Sequence, residues 1–220
     1  SSIPAQKVIL WFQFEDLLMS NVAQLLRGFS QFRENYFEKD TALFKRLATE
    51  GQEPSTLLIA CSDSRVDPAI LFGVEPGELF VVRNVANLVP PYEPDKCLHG
   101  TSSALEFAVR DLKVSQIIVL GHSNCGGIHA LCNHIRGEVS ERDFISSWVS
   151  IAADAVEPYV QQSSHYAEQA AIRASVQNLK TFPWIEERVL AGDLTIHGWW
   201  FDLGAGELSD VSEGHVRINR

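Results

Sequence analysis

The fold class is indicated by two segments of the chain, TLLIACSDSR at residues 56–65 and QIIVLGHSNCGG at residues 116–127. Each begins with a continuous apolar run, which is typical of a parallel strand covered on both faces. In an open α/β sheet, the carboxyl ends of the strands form the edge at which ligands bind. We therefore expect two strand ends that deliver Cys61, His122 and Cys125 to one point.

The rest of the chain fits a sheet of this kind. Strand patterns recur at residues 56–60, 79–83, 116–121 and 194–201, and helical patterns at about 102–112, 127–135 and 141–190. This alternation is typical of a parallel α/β sheet. Residues 207–211 are expected to add an antiparallel strand. The predicted fold class is α/β, with a mainly parallel central β-sheet (four parallel strands plus an antiparallel edge strand) flanked by helices.

An N-terminal helical arm is expected before the sheet. Apolar residues at helical spacing run along residues 22–37, and a second helix is expected over residues 42–49, ended by Gly51. We assign residues 1–50 to the arm and residues 51–220 to the α/β domain. For residues 1–18, which precede the single methionine at position 19, both a non-native and a native extension stay open.

Composition limits the classes of partner. The formal net charge of −10 argues against binding to nucleic acid or to an anionic membrane surface. The apolar run at residues 8–14 is too short to span a bilayer, and it lacks the cleavage site of a secretory signal. Cys97 and Cys132 are expected to be free thiols, because the metal pattern indicates a reducing compartment. We predict a cytoplasmic protein with no membrane span.

The triad of Cys61, His122 and Cys125 has the chemistry of a zinc site. Two thiolates and one imidazole suit zinc, and three protein ligands leave the fourth position open to water or substrate. A closed structural site is the alternative, and Asp63 is the obvious fourth ligand.

Asp63 and Arg65 stand two residues apart, beyond the end of the first strand. A carboxylate paired with a guanidinium stays ionised and takes a fixed orientation. We assign Asp63 as the catalytic group that accepts a hydrogen bond from a zinc-bound hydroxide and so orients it. Arg65 is assigned to hold Asp63 in place. An ordinary surface ion pair, which contributes little to stability, is the alternative.

The sequence resembles the β-class carbonic anhydrases, most closely their plant-type branch. The resemblance is carried by CSDSRV at 61–66, EPGE at 75–78, VVRNVANLVPPY at 81–92 and HSNCGG at 122–127. It implies one Zn²⁺ per chain and a lyase that hydrates carbon dioxide reversibly to bicarbonate and a proton, by attack of zinc-bound hydroxide. It also implies self-association as a dimer or tetramer, in which the N-terminal helices wrap the partner. Packing of these helices on their own sheet stays open.

The resemblance further implies a substrate pocket. Its expected residues are Gln52, Phe80, Val85, Phe107, Gly126 and Gly127. Phe107 stands where plant-type members usually have Tyr, which puts one pocket contact in doubt. Leu58 and Ala60 stand where members with an allosteric bicarbonate site tend to have Trp and Gly. We therefore expect a chain without allosteric bicarbonate inhibition.

Two other functions stay open on sequence grounds. Carbon disulfide and carbonyl sulfide hydrolases resemble the same family and use the same ligand set. A non-enzymatic protein that binds zinc and bicarbonate is the second alternative, although it has no need of the Asp63–Arg65 pair.

Overall fold

A computed structural model describes residues 21–95, 97–138, 142–214 and 216–218. Residues 1–18, for which a native and a non-native extension both stay open, lie outside these ranges. The chain divides into two compact units, one ending at Gln52 and the other beginning at Glu53. Among the described helices, none is both long and apolar enough to cross a lipid bilayer.

The first unit is helical, as predicted. Helix α1 covers residues 21–32 and continues as a π-helical turn over Arg33–Phe37, and α2 spans Thr41–Glu50. The Asp40 side chain caps α2 by accepting the Leu43 amide at 3.0 Å. Gly51, with φ 86°, ends this helix.

The second unit is built on one sheet with the strand order β2-β1-β3-β4-β5-β6 in the described ranges. The strands are β1 Thr56–Cys61, β2 Leu79–Asn84, β3 Gln116–His122, β4 Thr195–Asp202, β5 Glu207–Asp210 and β6 Val216–Arg217. Neighbours among β1 to β4 pair in parallel, whereas β5 is antiparallel to β4 and β6 to β5. The predicted parallel strands and antiparallel strand are confirmed. The two-residue β6 was not predicted and lies outside β5.

Helices cover the sheet. They are α3 Pro68–Phe72, α4 Gly100–Glu106 with a π-helical turn Phe107–Asp111, α5 Gly126–Ile135, α6 Ile145–Val149, α7 Ala153–Val156, α8 Ser164–Leu179 and α9 Pro183–Leu190. The predicted helices at 102–112 and 127–135 are confirmed. Pro183 occupies the first turn of α9, where the missing N–H has no intrahelical partner to lose.

The two faces of the sheet explain the continuous apolar runs. All six residues of β1 are buried. On one face, Leu57 and Ile59 pack in a core that includes Ile172 of α8. On the other face, Leu58 and Ala60 pack in a second core. Each fully buried side chain of the size of leucine stabilises the fold by roughly 1.5–3 kcal/mol.

Candidate metal centre

Cys61, His122 and Cys125 lie together at the carboxyl ends of β1 and β3. Their ligand atoms are all within 4.8 Å of one another and all three residues are buried. The two sulfurs are 3.9 Å apart. The strand register accounts for this convergence, because Ala60 pairs with Leu120, so that Cys61 and His122 follow within two residues at the same edge of the sheet. The structure therefore brings together the three residues expected as zinc ligands.

The imidazole of His122 indicates that the cluster suits a cation. Its Nδ1 lies 2.9 Å from the Ser123 carbonyl oxygen, which can only accept, so the proton sits on Nδ1 and the lone pair on Nε2. Nε2 is buried and has no hydrogen-bond partner among the described residues. A buried polar atom without a partner is costly, and a metal ion would satisfy it.

The two thiols have unequal affinities for a proton. A hydrogen bond from Cys125 lowers the pKa of Cys61 below its ordinary value. The hydrogen bond to Cys61, with burial, raises the pKa of Cys125. A bound metal requires both sulfurs as thiolates and so displaces the remaining proton. Two thiolates and a neutral imidazole offset the charge of one divalent ion.

The Asp63–Arg65 pair is formed as expected. Nε and Nη2 of Arg65 donate to the two carboxylate oxygens of Asp63 at 2.9 and 2.7 Å, and the Arg65 amide donates at 2.9 Å. These bonds hold the pKa of Asp63 well below its usual range. Oδ2 of Asp63 lies 3.9 Å from Nε2 of His122. An ionised carboxylate with a fixed orientation therefore stands beside the cluster.

Arg83, to which sequence reasoning gave no role, supports the first ligand segment. Its Nε donates to the Cys61 carbonyl at 2.9 Å and its Nη2 to the Asp63 carbonyl at 2.6 Å. Its Nη1 donates to Asp67 at 3.1 Å. One guanidinium thus joins the Cys61 and Asp63 carbonyls to the Asp67 side chain. The sequence carried no signal for this beyond the arginine in the motif at residues 81–92.

Glu168 was also missed. Its Oε1 accepts the Cys125 amide at 3.2 Å and its Oε2 accepts the indole N–H of Trp200 at 3.1 Å. The residue is only 3% exposed, and burial raises its pKa. It lies within α8 with no motif around it, so no sequence signal pointed to it.

The turn after β2 packs directly on the helix that follows Cys125. A Cβ built on Gly127 would lie 2.7 Å from Val85 Cγ1 and 2.9 Å from the Ala86 Cβ. The carbonyl of Val85 accepts the indole N–H of Trp148 at 2.7 Å. Ala86 has a left-handed backbone with φ 66°, so this turn is a specific shape that α5 approaches closely.

The structure brings the expected pocket residues together in part. The rings of Phe80 and Phe107 lie 5.8 Å apart, and Val85 Cγ1 lies 2.7 Å from a Cβ built on Gly127. A Cβ built on Gly126 would meet nothing within 4 Å among the described residues. Gln52 is exposed and ends the first unit, so its role in the pocket stays a prediction.

Known proteins share both the sequence and the fold of this chain. The sequence model of the carbonic anhydrase family matches residues 56–208. The chain belongs to this family. In Arabidopsis thaliana, the chloroplastic β-carbonic anhydrase 5 is 41% identical over 183 residues, which cover 80% of this chain and 60% of the relative. The mitochondrial β-carbonic anhydrase 6 is 40% identical over 188 residues, which cover 82% and 64%. The chain thus spans less than two-thirds of these relatives' length.

Solved structures agree with the β class. The β-carbonic anhydrase CcaA superposes with a TM-score of 0.82 and 33% identity over 91% of this chain and 93% of that protein. A tetrameric β-carbonic anhydrase from Sordaria macrospora gives a TM-score of 0.67 and 29% identity over 90% and 96%. The resemblance to the β class inferred from the sequence motifs is confirmed.

The prediction of a cytoplasmic location is wrong. The two plant relatives are named as chloroplastic and mitochondrial proteins, which contradicts it. The prediction rested on composition and thiol chemistry, and neither encodes an organellar address. Such addresses are carried by transit segments that are distinct from the folded domain.

Proposed function

We propose that this chain is a zinc-dependent carbonic anhydrase that catalyses the reversible hydration of carbon dioxide. The observation that carries the proposal is the buried Cys61–His122–Cys125 cluster with an unpartnered His122 Nε2, in a chain that belongs to the family. This ligand set suits one zinc ion and leaves its fourth position for the reaction. The names of the plant relatives support an organellar location for this activity.

In the proposed reaction, different residues of the chain bind the metal and orient the attacking water. Cys61, His122 and Cys125 would hold the zinc ion, which would supply the Lewis acidity that makes water nucleophilic near neutral pH. Oδ2 of Asp63 accepts a hydrogen bond from the attacking water and so directs an oxygen lone pair at the carbon of CO₂. The water oxygen forms the new C–O bond, one C=O π bond opens to give bicarbonate, and one proton leaves to buffer.

Arg65 keeps Asp63 available for this role. Both carboxylate oxygens of Asp63 accept from Arg65, so the guanidinium competes for the carboxylate and would keep Asp63 from serving as a fourth metal ligand. We therefore propose a position open to water at neutral pH. Leu58 and Ala60, which are buried, stand in place of the Trp and Gly of members with an allosteric bicarbonate site, and we propose on this ground that the chain lacks allosteric inhibition by bicarbonate.

The pocket proposal follows from the chemistry of the substrate. Carbon dioxide is small and apolar, so side chains such as Phe80, Val85 and Phe107 suit its approach. The amides at the start of α5, at Gly126 and Gly127, favour the anionic product. Gln52 is proposed as a further hydrogen-bond donor to substrate or bicarbonate.

Self-association as a dimer or tetramer is part of the proposal. The Sordaria macrospora relatives are tetrameric by name. In this chain α1 leaves Val22, Leu25 and Phe29 more than half exposed, and solvent-exposed apolar stripes of this kind favour contact with a partner subunit.

The test is stopped-flow CO₂ hydration between about pH 6.5 and 9, on protein with its zinc content measured. Cys61→Ser is the variant that removes a ligand. Cys132→Ser is the matched control, because Cys132 is a buried free thiol outside the cluster. We expect one zinc per chain and fast hydration in wild type and control, with both lost in Cys61→Ser. Full zinc occupancy without CO₂ hydration would contradict the proposed reaction, and hydrolysis of carbonyl sulfide instead would identify the substrate variant.

A further inference from the structure

The turn from His122 to Cys125, called here the ligand turn, is held from outside at each of its inner residues. Asn124 has a left-handed backbone with φ 56°, a conformation that is uncommon outside glycine but that asparagine adopts more readily than most residues. The Asn124 carbonyl accepts from Arg65 Nη2 at 3.1 Å. The Ser123 amide donates to the Phe201 carbonyl at 2.9 Å. Strand β4 and Arg65 therefore fix the middle of the turn.

The last amide of the ligand turn, that of Cys125, donates to Glu168. This glutamate lies on α8 among residues that are almost completely buried, Ala167, Ala170, Ala171 and Ile172. A carboxylate in such surroundings is costly unless its oxygens are hydrogen-bonded. Here each oxygen has its own N–H donor, one from Cys125 and one from Trp200. The side chain thus joins α8, β4 and the ligand turn at one buried point.

We infer that Glu168 is a positioning residue of the metal centre: its carboxylate fixes the Cys125 amide and thereby directs the Cys125 sulfur toward Cys61 and His122. Glu168 acts through Cys125. The inference rests on the proposed zinc site, and it does not depend on which substrate is hydrated. Groups that orient metal ligands in this way typically change metal affinity or activity by about 10- to 100-fold when they are mutated.

The two-donor geometry dictates the variant. Glutamine has nearly the same shape as glutamate but only one acceptor oxygen, and its NH₂ group can only donate. In Glu168→Gln one of the two N–H donors, that of Cys125 or that of Trp200, must therefore face another donor. The matched control is Ser175→Ala. Ser175 is a fully buried residue of the same helix that accepts the Val89 amide at 3.1 Å.

The experiment measures zinc affinity by competition with a chromophoric chelator, on wild type, Glu168→Gln and Ser175→Ala. We expect zinc affinity to fall by about 10- to 100-fold in Glu168→Gln and to change by less than about threefold in Ser175→Ala. This difference in affinity is expected even if both variants melt at a lower temperature than the wild type. The same proteins loaded with Co²⁺ report the sulfur geometry by their visible absorption. The thiolate charge-transfer and d–d bands should shift in Glu168→Gln and stay in place in Ser175→Ala.

Unchanged zinc affinity and an unchanged Co²⁺ spectrum in Glu168→Gln would overturn the inference. That result would leave the proposed function standing. Failure of the wild type to bind zinc would instead refute both the proposed function and this inference, so the two failures are distinguishable. A measurement on the wild type keeps the inference testable if the variant does not fold. Hydrogen exchange at the Cys125 amide should be slow in both the metal-free and the zinc-loaded protein. Fast exchange in the metal-free protein would refute prior positioning of the turn by Glu168.

Discussion

Replacing Gly127 by alanine tests how closely α5 must approach the turn after β2. The new Cβ would lie 2.7 Å from Val85 Cγ1 and 2.9 Å from the Ala86 Cβ, whereas carbon atoms pack best at about 3.5–4.0 Å. Val85 is 37% exposed and can rotate away. Ala86 is fully buried and its Cβ is fixed to the backbone, so α5 or the turn must shift. Because α5 begins directly after Cys125, the shift reaches the metal centre.

The neighbouring glycine supplies the control that isolates this cost. Overpacking a well-packed contact costs about 1–3 kcal/mol, while a change from glycine to alanine within a helix gains up to about 1 kcal/mol. A Cβ added at Gly126 would meet nothing within 4 Å among the described residues. Gly126→Ala therefore gains the higher helix propensity of alanine without creating a close contact. The difference in unfolding free energy between the two variants then equals the contact cost, about 1–3 kcal/mol.

The assay is thermal unfolding of the zinc-loaded variants. For a chain of this size about 1 kcal/mol corresponds to roughly 2–4 °C, so Gly127→Ala should melt roughly 2–12 °C below Gly126→Ala. Adding Val85→Ala to Gly127→Ala removes one of the two close contacts and should recover part of the loss. Equal melting temperatures for Gly126→Ala and Gly127→Ala would show that the turn accommodates the added methyl group without cost.

Three further predictions concern other parts of the second unit. The pKa of Asp63 is depressed by Arg65, so the pair stabilises the fold above the unfolded value of about 3.9 and loses its contribution as the pH falls through the folded value. Urea unfolding of wild type and Asp63→Asn should therefore converge below about pH 4, and a gap that widens with acid would contradict this. Arg83→Met removes the donors to two backbone carbonyls and should cost about 1–3 kcal/mol in urea unfolding; an unchanged midpoint would show that the guanidinium is dispensable. Ile172 is fully buried, and its Cγ2 lies 2.9 Å from a Cβ built on Gly198. Ile172→Ala therefore leaves a cavity and should lower the free energy of unfolding by about 2–5 kcal/mol. A loss below about 1 kcal/mol would mean that the sheet closes over the cavity.

The parts of the site that follow strand ends could be predicted from the sequence. Cys61 and His122 end two buried apolar runs, and parallel pairing of such runs places both at one edge of the sheet. The Asp63–Arg65 pair was predictable for a similar reason, since the two residues are close in the chain and their bonds are local. The fold class followed from the same strand pattern.

The supporting groups could not be predicted, because their bonds join distant parts of the chain. Glu168 meets the Cys125 amide 43 residues away, and Arg83 meets the Cys61 carbonyl 22 residues away. A glutamate within a helical pattern gives no sign that it is buried. The two-residue strand β6 is too short for any period to be visible in the sequence.

The strand register makes the metal centre sensitive to the lengths of the strands and insensitive to the lengths of the loops. Spacing between Cys61 and His122 depends on how β1 and β3 pair, and not on the length of chain that joins them. Natural or engineered insertions at the exposed segment around Glu93 and Pro94 should leave the ligands in place. A single-residue deletion inside β1 has the opposite effect, because it turns every following side chain to the other face of the sheet. The ligand set is therefore tolerant of changes in loops and intolerant of changes of one residue in two strands, so length variation among homologous chains should be confined to the connections.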